Sequence, residues 1–189
     1  MSSSGSRSSR DAAPAAPVAL PSPPPGRPPE LSLKMYMDDD WIDAAVQELA
    51  NARNSVILAT YMLNNPKICA AMEKFRRKNP AGTILIVVDR QNHEQKTCPG
   101  QLKALGALLA AKAQIYLCYG KSGKAGLGYM HVKCLVVDRK VAFFGGANCT
   151  KNAENSWEMV SRVTGPQVQE MVAYIVKLTE KKNTVLMSG

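Results

Sequence analysis

The sequence is poor in the residues that build disulfide scaffolds and metal sites. Its 189 residues include only five cysteines and two histidines, and no two cysteines form a Cys-x-x-Cys pair. The odd cysteine count argues against a disulfide framework, and the absence of Cys-x-x-Cys pairs argues against a structural zinc site. A chain without disulfides favours a reducing compartment such as the cytoplasm. No apolar run approaches the roughly 20 residues that span a bilayer, so no transmembrane helix is expected.

Acidic residues are also in the minority. There are 15 of them against 24 lysines and arginines, which gives a net charge of +9. This excess favours anionic partners, namely nucleic acid, phospholipid headgroups or phosphorylated small molecules. With 46% hydrophobic and 21% charged residues, the chain fits one soluble globular domain plus a tail.

The tail is predicted at residues 1–34, and the folded domain at residues 35–189. Residues 1–34 contain eight of the twelve prolines, eight serines and no aromatic residue, a composition that predicts disorder. The Ser-rich start with Arg7 and Arg10 resembles an organelle (mitochondrial) transit peptide, but the following prolines prevent an amphipathic helix. A solvated tail is therefore the favoured interpretation.

The hydrophobic periodicity of the domain predicts the order α-β-α-β-α-β-β-β-β-α. A first helix is expected to open at Asp38–Asp40, with further helices at 66–78, 101–112 and 166–182. Strands are expected at 55–61, 83–89, 114–119, 132–137, 141–144 and 158–163. Continuous β-branched runs such as 83–89 are typical of buried parallel strands. The predicted fold class is α/β, a mixed, mostly parallel sheet between helices on both faces.

The residues with the clearest chemical potential lie between positions 131 and 148. His131 and Lys133 are two positions apart on a predicted strand, so their side chains share one face. A lysine supplies charge to phosphate oxygens, and a histidine can act as a nucleophile or proton carrier near neutral pH. Gly145-Gly146 lets backbone N–H groups approach an anion, and Asn148 offers a side-chain donor. Each feature alone is more often structural than catalytic.

The joint spacing is more specific: His-x-Lys, four residues, Asp, six residues, Gly-Gly-x-Asn. It resembles the signature of the phospholipase D superfamily, and the match covers His131, Lys133, Asp138, Gly145 and Asn148. The likeness extends over roughly residues 35–182. Position 146 departs from the pattern, since the family usually has serine where this chain has glycine. The hydroxyl is absent, but we expect the backbone donor to remain available for phosphate. The family also carries a glutamate later in the sequence. Glu154 and Glu158 are the two candidates, and we prefer Glu158 because a strand is predicted to start there.

The resemblance implies a metal-independent phosphodiesterase without a cofactor. One motif per chain is typical of the short members that pair as symmetric homodimers, which include bacterial endonucleases and the mitochondrial cardiolipin hydrolase and nuclease branch. In such a pair one His131 forms a phosphohistidine and the other acts as acid, while Lys133, Asn148, Gly145 and Gly146 hold the phosphate. Asp138 and Glu158 are interpreted as orienting groups, although Asp138 is alternatively a structural bridge. The only other histidine, His93, is expected in a solvent-facing loop.

The substrate is left open between nucleic acid and lipid. Basic residues flank the motif and favour a nuclease acting on DNA or RNA; they are Lys121, Lys124, Arg139, Lys140 and Lys151. The same charges also suit an anionic phospholipid, as in a phospholipase D or cardiolipin hydrolase, or another phosphodiester or phosphatidyl transfer. Further alternatives are a nucleic-acid-binding domain with a decayed site, because of Gly146, and, ranked lowest, a flavodoxin-like domain in which the spacing is coincidental.

Overall fold

The computed structural model describes residues 30–188, which form one mixed eight-stranded sheet with helices on both faces. The strands are β1 (Ser32–Met37), β2 (Ser55–Thr60), β3 (Thr83–Asp89), β4 (Gln114–Cys118), β5 (Cys134–Val137), β6 (Val141–Gly145), β7 (Met159–Thr164) and β8 (Thr184–Leu186). The helices are α1 (Asp40–Asn51), α2 (Pro66–Lys78), α3 (Arg90–Gln95), α4 (Gln101–Ala110) and α5 (Gln167–Thr179), with a 3₁₀-helix at Lys151–Asn155.

The α/β class is confirmed, but the expectation of a mostly parallel sheet is wrong. The strand order is β1-β7-β6-β5-β2-β3-β4-β8. Only the pairs β2–β3 and β3–β4 are parallel, whereas the other five pairs are antiparallel. The buried β-branched runs reflect coverage of both faces of the sheet, and that coverage does not depend on strand direction.

Alternate strand residues feed two hydrophobic cores, one on each face of the sheet. Ile84, Ile86 and Val88 of β3 pack into the core that α1, α2 and α4 cover. Leu85 and Val87 of the same strand pack into the core beneath α5. Because successive side chains of a strand point to opposite faces of the sheet, a single strand contributes to the cores beneath both helical layers.

Four elements were not predicted: β1, α3, β8 and the 3₁₀-helix. β1 pairs with β7 along its whole length, so the predicted domain boundary between residues 34 and 35 falls inside a strand. The disorder and targeting predictions concern mainly residues 1–29, which lie outside the described range. α3 begins because the Asp89 side chain accepts a hydrogen bond from Asn92 N and caps the helix. His93 therefore lies on a helix and not in the expected loop.

The predicted hairpin after His131 is present as β5 and β6, in antiparallel register from Cys134↔Phe144 to Val137↔Val141. Its turn places Asp138 at φ 51° and Arg139 at φ 56°. Two consecutive left-handed residues match the twist of a tight hairpin, and Asp adopts this conformation more readily than most residues. β5 begins at Cys134, so His131 and Lys133 precede the strand on which they were predicted.

None of the helices within residues 30–188 is long and apolar enough to cross a membrane.

Candidate functional site

His131 and Lys133 lie at the edge of the sheet where β2 and β3 end and β5 begins. The pair Ala59↔Cys134 joins the end of β2 to the start of β5. Lys133 Nζ lies 2.9 Å from both ring nitrogens of His131, and it donates to the His131 carbonyl at 3.1 Å. The exposed imidazole and its ammonium neighbour thus form a compact pair, as the sequence predicted.

Aromatic rings flank this pair. The Tyr61 ring meets the His131 ring edge-on, with centroids 5.0 Å apart, and Lys133 Nζ lies 5.8 Å from the Tyr61 centroid. Tyr129 meets Tyr61 edge-on at 5.4 Å. Edge-to-face contacts at these distances are favourable and restrict ring rotation, so they hold the His131 ring in place.

The electrostatic environment favours the neutral form of His131. Partial burial and then the Lys133 ammonium lower the pKa of His131 below its ordinary value of 6.5, while the Asp89 carboxylate opposes them. Neutral imidazole is the nucleophilic form of histidine. Burial likewise lowers the pKa of Lys133, and the Glu158 carboxylate opposes that shift.

Asp89 is a site residue that sequence reasoning missed. It is fully buried, and its two carboxylate oxygens accept hydrogen bonds from Asn92 N and Met130 N, both at 2.7 Å. Burial raises its pKa, against the effect of those hydrogen bonds. Through the second of these bonds, Asp89 holds Met130, the residue before His131, close to the end of β3. The available signal was an acid at the carboxyl end of a buried strand.

The two candidate glutamates face different groups. Glu158 acts on Lys133 electrostatically, as noted, and its backbone oxygen accepts from Asp38 N at 2.9 Å. Glu154 accepts a hydrogen bond from Asn65 Nδ2 at 3.0 Å. This arrangement favours Glu158 as the site residue. Lys133 Nζ, however, and not Glu158 as the resemblance implied, lies within hydrogen-bonding distance of the His131 ring nitrogens, of which only the unprotonated one can accept.

Asn148 is positioned by contacts that its neighbour makes with the β2–α2 connection. The Cys149 carbonyl accepts from Asn64 N and Asn65 N, both at 3.0 Å, and Cys149 forms a parallel bridge with Leu63. Asn148 Oδ1 is buried without a hydrogen-bond partner among the described residues. An unpaired buried acceptor costs about 1–3 kcal/mol. An anion would instead be bound by the amide nitrogen of the same side chain, because only that end of the amide donates.

The two glycines of the motif, Gly145 and Gly146, contact the neighbouring strand β7, and this packing explains them better than binding of an anion. A Cβ at Gly145 would collide with the backbone of Met159 and Val160 on the neighbouring strand. The Gly146 N–H donates to the Met159 carbonyl at 3.2 Å. The prediction that the Gly146 backbone donor is available for phosphate is therefore wrong in this structure, because sheet pairing already occupies it.

Asp138 lies far from His131. Asp138 lies five residue steps from Lys133 along β5, which at about 3.3 Å per residue is roughly 16 Å. Its carboxylate accepts hydrogen bonds from the backbone N–H groups of Arg53, Asn54 and Ser55 at 2.7–2.9 Å. Interpreting Asp138 as an orienting group for the histidine is thus inconsistent with the structure. It is the structural bridge that the sequence left as the alternative.

The site opens into two cavities. One of about 680 Å³ contains His131 and extends along α5, with Lys121, Lys177, Lys181 and Lys182 on its walls. The other, of about 220 Å³, contains Asn148 and Glu158. In the described part of the chain, no group of three or more His, Cys, Asp or Glu side chains is arranged to hold a metal ion.

Comparisons with known proteins agree on one family. A family model described as "Cardiolipin synthase, PLD-like domain" matches residues 45–179. The comparison with curated proteins gave no match.

Several solved structures share the fold. Nuc from Salmonella typhimurium, a phospholipase D family member, aligns with TM-score 0.71 at 14% identity, over 85% of this chain and 100% of that one. NucT from Helicobacter pylori aligns with TM-score 0.72 at 22% identity, over 84% and 100%. Phosphatidylserine synthase from Haemophilus influenzae Rd KW20 aligns with TM-score 0.59 at 12% identity, over 83% and 40%. With most of the domain matched by the family model and the His131–Lys133 pair at the sheet edge, the chain belongs to the phospholipase D superfamily.

Proposed function

We propose that this protein is a metal-independent phosphodiesterase that acts through a phosphohistidine on His131, and that its substrate is DNA or RNA. The observation that carries the proposal is the exposed His131 ring, whose pKa is lowered, within 2.9 Å of Lys133 Nζ. A neutral imidazole next to a fixed cation suits attack on a phosphodiester, because the cation attracts the anionic group that the ring attacks.

The reaction has two steps. In the first, a ring nitrogen of His131 attacks phosphorus, the P–N bond forms, the P–O bond to the leaving group breaks, and a second histidine gives its proton to the leaving oxygen. In the second, that histidine takes a proton from water, the resulting hydroxide attacks phosphorus, and the P–N bond breaks. Lys133 and the Asn148 amide bind the non-bridging oxygens and stabilise the charge that grows on them.

The second histidine is His131 of another copy of the chain. The chain has only one other histidine, His93, and it lies on α3. A two-fold axis beside His131 would bring two such rings onto one phosphate. An exposed apolar patch borders the site and supports pairing. It comprises Trp157, which is 94% exposed next to Glu158, with Met37 and its cross-strand partner Met159.

Nucleic acid is favoured over lipid by the charge around His131. Four lysines and no acidic residue line the described cavity that contains it. Such lysines contact phosphates along a polymer without selecting a sequence. Phospholipid is the second candidate, because the matching family model is described as a cardiolipin synthase domain and a phosphatidylserine synthase shares the fold.

The experiment is a hydrolysis assay in EDTA on labelled single-stranded DNA, RNA and cardiolipin vesicles, with wild type beside His131→Ala. The proposal predicts EDTA-resistant cutting of nucleic acid that His131→Ala abolishes while the fold, followed by circular dichroism, is retained. Turnover of cardiolipin alone would assign the lipid function instead. Binding without turnover of any substrate would indicate a decayed site, and full activity of His131→Ala would refute the mechanism.

A further inference from the structure

The larger cavity continues beyond the reacting groups as a groove between α5 and the glycine-rich loop at residues 120–128. We propose that this groove binds an unpaired nucleic-acid strand on one side of the scissile phosphate, with bases against Tyr129 and Tyr174 and phosphates on Lys177 and Lys181. The inference rests on the proposed nuclease function and adds to it a binding surface outside the catalytic groups.

The first argument is the arrangement of side chains on α5. Tyr174, Lys177 and Leu178 occur at positions i, i+3 and i+4, so they share one face of the helix, and all three line the cavity. Lys181 and Lys182 follow in the turn before β8. An aromatic ring, an aliphatic side chain and several lysines along one wall match the stacking and phosphate contacts that a single strand requires.

The second argument is the exposure of two aromatic rings. Tyr129 and Tyr174 are each 50% exposed, although both line the groove. Tyr129 also contacts Tyr61, which in turn contacts His131, so the aromatic wall is continuous with the catalytic pair. A base that stacks on an exposed ring must be unpaired, which favours a single strand over a duplex.

The third argument is that the walls of the groove are fixed. The turn after α5 is held by hydrogen bonds from Thr184 N to Lys181 O and from Thr184 Oγ1 to Leu178 O, both at 2.8 Å. On the other wall, Gly123 has φ +66°, and a Cβ there would collide with the Asn183 amide. The lysines and tyrosines are therefore presented from ordered backbone, which reduces the entropy lost on binding.

The charge of the groove suits an extended polyanion. Lys121, Lys177, Lys181 and Lys182 are all exposed along it, and the described residues that line it include no acid. Four cations without a counter-charge complement a polyanion.

The test is a binding titration with full-length His131→Ala protein and a fluorescent 12-nucleotide strand of mixed sequence. The same sequence as a duplex serves as competitor. Tyr174→Ala is expected to weaken single-strand binding about tenfold, whereas Tyr174→Phe retains the ring and the affinity. Lys177→Gln with Lys181→Gln is expected to reduce the slope of log affinity against log salt by about 1.4, since each phosphate contact on a single strand contributes about 0.7.

The matched control is Lys74→Gln with Lys103→Gln, which removes the same charge from exposed positions on α2 and α4, the opposite helical layer. The inference is overturned if groove and control variants bind alike, if the duplex binds as tightly as the single strand, or if only anionic phosphatidylglycerol vesicles bind. Hydrolysis of bis-p-nitrophenyl phosphate by wild type tests the catalytic proposal separately. Its failure together with weakened binding by the groove variants would reject the enzyme but retain the groove.

Discussion

Gly146 lies so close to Glu158 that a Cβ at position 146 would be 2.9 Å from Glu158 Oε2. A serine at this position therefore requires the Glu158 carboxylate, which ends a flexible side chain, to move slightly. The position of the Glu158 carboxylate is therefore sensitive to the side chain at position 146.

Replacing Gly146 is accordingly expected to lower activity. Gly146→Ala should reduce kcat/KM by roughly threefold to tenfold, because small displacements of groups around a reacting centre are costly. Gly146→Ser should be less impaired, since its hydroxyl can donate to the displaced carboxylate. Steady-state kinetics on a labelled oligonucleotide measure both variants. A serine variant faster than wild type would instead support the decayed-site alternative.

Asp138 is expected to act on stability and not on catalysis. Asp138→Ala removes the acceptor of three backbone N–H groups and places alanine at φ 51°, so the free energy of unfolding should fall by about 3 kcal/mol. Asp138→Asn keeps one oxygen and tolerates this backbone, and should cost about 1 kcal/mol. Urea unfolding gives both values. A hundredfold loss of kcat in a variant of unchanged stability would restore Asp138 to the catalytic machinery.

The pKa of His131 is expected to lie below 6.5, so kcat/KM should rise with pH through an acid limb below that value. The Lys133 ammonium lowers this pKa, because a neighbouring cation disfavours the protonated ring. Lys133→Met should therefore raise the pKa of His131, whereas Lys124→Met on the exposed loop should leave it unchanged. Because the chain has two histidines, ring NMR signals assigned with His131→Ala report it directly. A pKa that falls in Lys133→Met would contradict this electrostatic account.

The shared site of the proposed dimer predicts how mixed subunits behave. A dimer with one wild-type and one His131→Ala chain has a single His131 and should be inactive, so activity falls with the square of the wild-type fraction. Equal mixing, by co-expression with two affinity tags, should leave about one quarter of the activity. His93→Ala should retain activity. A linear decrease, or an inactive His93→Ala, would show that each chain works alone.

The contrast between helices and strands shows what the sequence could predict. α2 was placed correctly because Pro66 occupies its first turn and basic residues close it. The antiparallel direction of β5 was not predictable from its apolar run, because both faces of this strand are buried in the same way as those of the parallel strands β2 and β3. β1 was missed because composition placed the end of the tail at residue 34, which divides this strand between the tail and the domain.

The candidate site also contains residues that local sequence could identify and residues that it could not. His131 and Lys133 were identifiable because their spacing survives even though β5 starts after them. The roles of Asp89 and Gly146 depend on contacts across the sheet, with Met130 and with Met159, and no local pattern encodes them. Local spacing therefore predicted the His131–Lys133 pair, and only the packed structure identified the residues that position it.

The central claim is the covalent step on His131, and trapping the intermediate tests it most directly. Wild-type protein is mixed with a labelled oligonucleotide in EDTA, quenched in alkaline denaturant within the first turnover, digested, and analysed by mass spectrometry. The account predicts a substrate fragment joined through phosphorus to the peptide that contains His131, and no such adduct with His131→Ala. Turnover without any adduct, or an adduct on another residue, would contradict it.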